Sequence, residues 1–200
     1  MLCNGCNYTI FMIFSSTPLR YFELALKLQK ATPFNPVKPL RLETQLRMSV
    51  VALFSKIVEE TDMWQSMYHG TNHWMNVRAN AMYLAHKTGG DVEVAEYFAI
   101  LHDCMRHNED SDPKHGQRAS RYARKHRDLI DLDDRQFSLL QRACAGHTFA
   151  RPNCKAGTDP TLAACWDGDR LDIGRVGKTP DPKYFFSDLA KGLATLQIST

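Results

Sequence analysis

From Met48 onward the chain is organised by one recurring signal, apolar residues that return every three or four positions. Val50, Val51, Leu53, Phe54, Ile57 and Val58 make the first such stripe. Val77, Ala81, Leu84 and Ala85 make a second, over about residues 73–87, and Thr88-Gly-Gly90 stops it. Asp91 then offers an N-cap to a segment carrying Val94, Ala95, Phe98, Ile100 and Leu101. Further helices are predicted over about residues 113–127 and 133–145. Another starts at Thr158 or Asp159, with Pro160 in its first turn, and Asp181-Pro182 opens the last. No segment sustains a period of two and no internal repeat occurs. The fold class is therefore all-α, a bundle of about six to seven helices.

Charge and histidine divide the chain at the same place. Residues 1–47 hold six basic and two acidic side chains, whereas the remaining 153 residues hold 19 basic and 20 acidic ones. All eight histidines lie beyond residue 68. The net charge of +3 is too small to mark a binder of nucleic-acid polymers or of membranes, and it arises in the N-terminal segment. That segment has an uncharged start and a linker-like stretch, Ala31-Thr-Pro-Phe-Asn-Pro-Val-Lys-Pro39. It is too polar and interrupted for a membrane span and a poor signal peptide. Residues 1–47 are expected to be an accessory segment, linker or start-site artefact, and residues 48–200 the working domain. Six cysteines in 200 residues form no disulfide framework, so a reducing, cytoplasmic setting is expected. Cys3-x-x-Cys6 has no second pair to complete a zinc site.

The chemistry concentrates at helix ends. His102-Asp103 directly follows the apolar run Tyr97-Phe-Ala-Ile-Leu101, where a carboxylate is costly unless it is paired or bound to metal. His69 and His73 stand four apart, His115 opens a helix, His147 ends one, and Asp167 and Asp169 share one segment. Imidazole nitrogen with carboxylate oxygen suits Mn, Fe, Co, Ni or Zn.

The order His73, His102-Asp103, Asp169 resembles the HD superfamily of helical metal-dependent phosphohydrolases, over about residues 60–180. Leu101-His-Asp-Cys-Met-Arg106 looks like that family's His-Asp-x-x-Lys/Arg element, and Asp167-Gly-Asp-Arg-Leu171 looks like its Ala-Asp-Arg-Leu element. The resemblance implies an HD-like bundle in which His73, His102, Asp103 and Asp169 bind metal. His115 and His147 match two extra histidines of two-metal members, and His69 falls where some members place another ligand. These three are candidates for a second metal or a phosphate contact, His69 equally for fixing the loop before His73. Gly168, where the family usually has Ala, counts as a mild departure.

One or two divalent ions are implied, with Mg a further option, and a small phosphorylated molecule is the implied substrate. A metal would lower the pKa of water to about 7 and screen phosphate charge. Arg106 lies one helical turn after His102 and is the candidate for phosphate positioning. Arg118 is a candidate for a positive rim and Arg121 a weaker one. Asp167 is expected to orient a ligand or Arg170. Cys104, Cys144 and Cys165 are expected to be small buried side chains, and His86, His107 and His126 surface residues. The expected activity is hydrolysis of a nucleotide or other small phosphate ester. The rival readings are a di-iron oxygenase of the same fold and a non-catalytic metal- or nucleotide-binding regulatory module.

Overall fold

The computed structural model describes residues 47–152 and 158–198. Seven α-helices and no strand occur among them: α1 (Met48–Glu60), α2 (Thr71–Thr88), α3 (Val92–Leu101), α4 (His115–Lys125), α5 (Asp134–Gly146), α6 (Pro160–Leu171) and α7 (Asp188–Ile198). The expectations for Cys3, Cys6 and residues 1–46 lie outside the described residues, as does Cys154. No described helix is long and apolar enough to cross a membrane.

Helix α3 is the axis of the bundle. Every residue from Val94 to Leu101 is buried, as expected of a helix apolar on all sides. It packs against α2, α5 and α6, with lesser contacts to α1 and α4. Its one buried acid, Glu96, is matched by Arg78, whose Nε donates to Oε1 at 3.0 Å, and by Arg47 at 3.5 Å. Around it Phe54 and Trp74 meet edge to face, with ring centroids 6.2 Å apart. Each fully buried aromatic or aliphatic side chain of this kind stabilises the fold by roughly 1.5–3 kcal/mol.

The helix boundaries follow local chemistry. Asp91 accepts from Glu93 N and Val94 N at 3.0 and 3.1 Å. Asp133 and Gln136 form a reciprocal capping box at the start of α5. Asp159 caps α6 with Pro160 in its first turn, as the sequence indicates. Gly89 ends α2 in the left-handed region (φ 77°), which a side chain would resist. The last helix departs from expectation. Asp181-Pro182 starts only a short 3-10 turn, Pro182–Tyr184, and α7 begins at Asp188. Phe185 drops into the core at this point, and Ser187 Oγ accepts from Ala190 N at 3.2 Å, capping the new helix.

Helices α2 and α6 make the most extensive helix pair. Gly168 is what allows their approach, since a Cβ there would lie 2.7 Å from Cβ and N of Ala81. The departure from Ala at this position is therefore not mild, because in this chain there is no room for the extra carbon. This pairing sets Asp169 and Asp172, at the end of α6, beside His73 at the start of α2.

Candidate metal centre

Two groups of three ligating side chains occur among the described residues: His73, His102 and Asp169, and Asp103, His115 and His147. Each comes from several helix ends. His73 enters on the first turn of α2, and His102 is the C-terminal cap of α3. His115 opens α4, His147 caps α5, and Asp169 lies in the last turn of α6. The bundle thus gathers at one point the residues that the sequence scatters over about a hundred positions.

Asp103 joins the two groups. Its Oδ2 lies 3.6 Å from His102 Nε2 and 3.7 Å from His73 Nε2, while its Oδ1 lies 3.0 Å from His115 Nε2 and 3.6 Å from His147 Nε2. Asp169 Oδ1 completes the first group, 3.3 Å from His73 Nε2 and 3.8 Å from His102 Nε2.

The histidine tautomers decide what such a cluster can hold. Each Nδ1 faces an oxygen: Asp172 Oδ2 for His73 (2.7 Å), Ala99 O for His102 (3.0 Å), Cys144 O for His147 (2.7 Å) and Asp112 O for His115. Carbonyl and carboxylate oxygens only accept, so each Nδ1 donates, and Nε2 is a bare acceptor wherever the ring is neutral. Yet Nε2 of His73 and His102 are 3.0 Å apart, and those of His115 and His147 are 2.6 Å apart. Nitrogens at that spacing, beside two carboxylates, call for positive charge between them, which a shared proton or a metal ion supplies. Three nitrogen and oxygen donors in each group fit a divalent metal, with outer partners such as Asp172 holding the rings in place.

The electrostatics differ from ring to ring. Burial pulls His102 down to about 3, which keeps the imidazole in its neutral, ligating form. Burial also opposes the charged forms of His73 and His147, but the carboxylates of Asp169, Asp172 and Asp103 more than offset it and raise both. Asp103 and Asp169 stay ionised well below the usual range, because the surrounding imidazoles outweigh their burial.

Other candidates are placed differently. Arg106 stands over the second group, its Nη1 3.7 Å from Asp103 Oδ1, with Nε and Nη2 held by Asn108 O (3.2 Å) and Asp110 O (2.6 Å). It reaches this position by tight turns rather than on a helix face, since α3 ends at Leu101 and Arg106 N bonds back to Asp103 O at 3.1 Å. Arg118 is not on the rim. It donates to Met105 O at 2.9 Å and to Asp112, bracing the 103–112 loop. Asp167 orients no ligand and makes no hydrogen bond to Arg170, whose charge acts on it only at longer range. It accepts from Phe186 N (2.8 Å), Ser187 N (2.9 Å) and Ser187 Oγ (2.8 Å), docking the C-terminal segment. His69 joins neither group: its Nδ1 pairs with Glu109 Oε2 at 2.6 Å, and its backbone N donates to Ser66 Oγ at 2.7 Å, which fixes the loop before α2. His126 is buried rather than on the surface, 3.1 Å from Glu60 Oε2. Cys104, Cys144 and Cys165 are free and buried, and burial pushes all three thiols up, away from the nucleophilic form.

Sequence reasoning missed Asp172, although its position three residues after Asp169 was a usable signal. It also missed Arg151 and Arg175, which no local pattern marks. Together with Arg106 and Arg170 they line a cleft of about 220 Å³ floored by Asp103, His115, His147 and Asp169. A larger cleft, about 690 Å³, also touches Arg106 but carries Glu60, Asp62 and Glu109 on its walls. Its charge has the wrong sign for a phosphate.

A helical bundle with a histidine-aspartate centre of this order is the arrangement the sequence resemblance pointed to. Among solved structures, the chain is similar to a predicted HD superfamily hydrolase from an uncultured Thermotogales bacterium, with a TM-score of 0.58 and 22% identity over 74% of this chain and 84% of that one. No family model matches the sequence, and a search of curated proteins finds no relative. The fold is the HD-domain fold, and the His73, His102-Asp103, Asp169 set stands at its centre.

Proposed function

We propose that this chain is a metal-dependent phosphohydrolase acting on a nucleotide or another small phosphate ester. The observation that carries the reading is Asp103, whose two oxygens face two separate ligand triads beneath a rim of arginines. His73, His102, Asp169 and Asp103 would hold one divalent ion, and Asp103, His115 and His147 a second. When bound, such ions supply a water of lowered pKa and neutralise charge on the phosphoryl oxygens. Asp172, Ala99 O, Asp112 O and Cys144 O hold the four imidazoles in their ligating tautomer. Arg106 offers Nη1 to a phosphate above the second triad, where developing negative charge needs a fixed donor.

The test is metal content of the purified protein, followed by phosphatase assays over nucleotides and small phosphate esters with Mn, Co, Ni, Mg and Fe. The expected result is divalent metal bound and at least one ester hydrolysed, with both lost in Asp103→Asn. Tightly held iron, oxygen consumption and no ester hydrolysis would instead make it an oxygenase. Metal binding with neither activity would leave a regulatory module.

A further inference from the structure

The smaller cleft holds more positive charge than one phosphoryl group can use. Arg151, Arg170 and Arg175 have no carboxylate within ion-pair distance among the described residues, whereas Arg47, Arg78 and Arg118 each hold one. Arg170 gives Nη2 to Ala150 O at 2.7 Å, and its Nη1 is buried with no partner. Arg175 gives Nε to Tyr68 O at 2.7 Å and Nη1 to Asp172 O at 3.2 Å, both neutral carbonyls. Arg151 is exposed at the mouth and donates to Ala150 O at 2.8 Å.

Asp169 and Asp167 act on Arg170 only at longer range, and a guanidinium that faces a cleft without a contacting anion is costly, most of all when one of its nitrogens is desolvated. The four arginines do not converge on one spot either. Arg106 adjoins the His115 side of the centre, while Arg175 is anchored through Asp172 on the His73 side. A single phosphoryl group over the triads accepts one bidentate fork and has few oxygens left for others.

Resting on the hydrolase reading for its first phosphate only, we propose that Arg151, Arg170 and Arg175 form a second anion subsite. The substrate class is then a small molecule carrying two phosphate groups, one at the triads and one among these three arginines. Arg170 supplies the buried donor, Arg175 the one braced from below, and Arg151 closes the mouth.

The test is calorimetric binding of methylphosphonate and methylenebisphosphonate to the metal-loaded full chain, in wild type, Arg151→Gln and Arg175→Gln. The expected result is tighter binding of the bisphosphonate by wild type, with each variant losing roughly 10–100-fold of that margin, the scale of a lost charge-assisted hydrogen bond. Arg151 is exposed, so its variant reports on the cleft even if Arg175→Gln perturbs the Tyr68 loop. A margin absent in wild type, or unchanged in both variants, overturns the subsite. An arginine-dependent margin in a protein that hydrolyses no ester keeps the subsite and sinks the hydrolase reading. Ester hydrolysis without such a margin does the reverse.

Discussion

Gly116 lies so close to His147 that a Cβ on it would stand 2.9 Å from Nδ1 and Cε1 of the ring, and nearer still to the Cys144 carbonyl. The first turn of α4 therefore rests directly on the end of α5, and this contact lets His115 and His147 meet over Asp103. Gly116→Ala is expected to cost about 1–3 kcal/mol through overpacking. It should also strip the second triad of metal before the first. Denaturation midpoints with metal stoichiometry check this, and a variant that keeps full stability and both ions would contradict it.

Asp172 holds the His73 ring through Nδ1 and is itself held by Asn76 Nδ2 at 2.9 Å. Asp172→Asn keeps the shape but removes the charge behind the ligand. Metal affinity should fall roughly 10–100-fold, the usual cost of losing such a partner. Titration with a competing chelator measures this, and the melting temperature of the metal-free variant should stay near that of the metal-free parent.

Removing metal should destabilise the whole bundle, because only protons on the paired imidazoles are then left to balance the buried carboxylates. With free ion at 100 times its Kd, the bound state gains about 2.7 kcal/mol. For a domain of this size that is a fall in Tm of roughly 5–10 °C on chelation. Thermal melts with and without chelator, followed by add-back of Mn or Co, decide it. Equal melting temperatures in both conditions would argue that the centre carries no ion.

Glu60 couples α1 to the end of α4 through Lys125 Nζ at 3.1 Å and His126 Nε2 at 3.1 Å. The Lys125 hydrogen bond, helped by His126, lowers the Glu60 carboxyl from 4.5 to about 2. A depressed acid stabilises the fold above its unfolded value and loses that contribution as pH falls through the folded one. Glu60→Gln should therefore be less stable than wild type at pH 7, with the difference shrinking between about pH 4.5 and 2. Urea midpoints across that range test it; a constant difference would mean the contact is not ionic.

Much of the centre was legible because its signals are local. The carboxylate of Asp103, placed behind five apolar residues, marks itself as paired or ligating, and Asp91, Asp133 and Asp159 announce helix starts within four residues. The misplacements share a cause. Arg118 and Asp167 look like site residues by spacing, but each is taken by a partner the spacing does not reveal: Asp112 in a neighbouring loop, and Ser187 twenty residues on. Arg175 was invisible because its Nε is held by Tyr68 O, 107 positions away.

The sequence by itself determined the helical class and the ligand order, since periodicity, capping and the cost of burying a charge all act over a few residues. Only the tertiary structure decided that Asp103 faces two triads, that Gly116 and Gly168 sit where neighbouring helices leave no room for a Cβ, and that three arginines with no carboxylate at ion-pair distance among the described residues share the cleft with Arg106. Those facts depend on which helix ends meet in space, and packing across the whole bundle sets that.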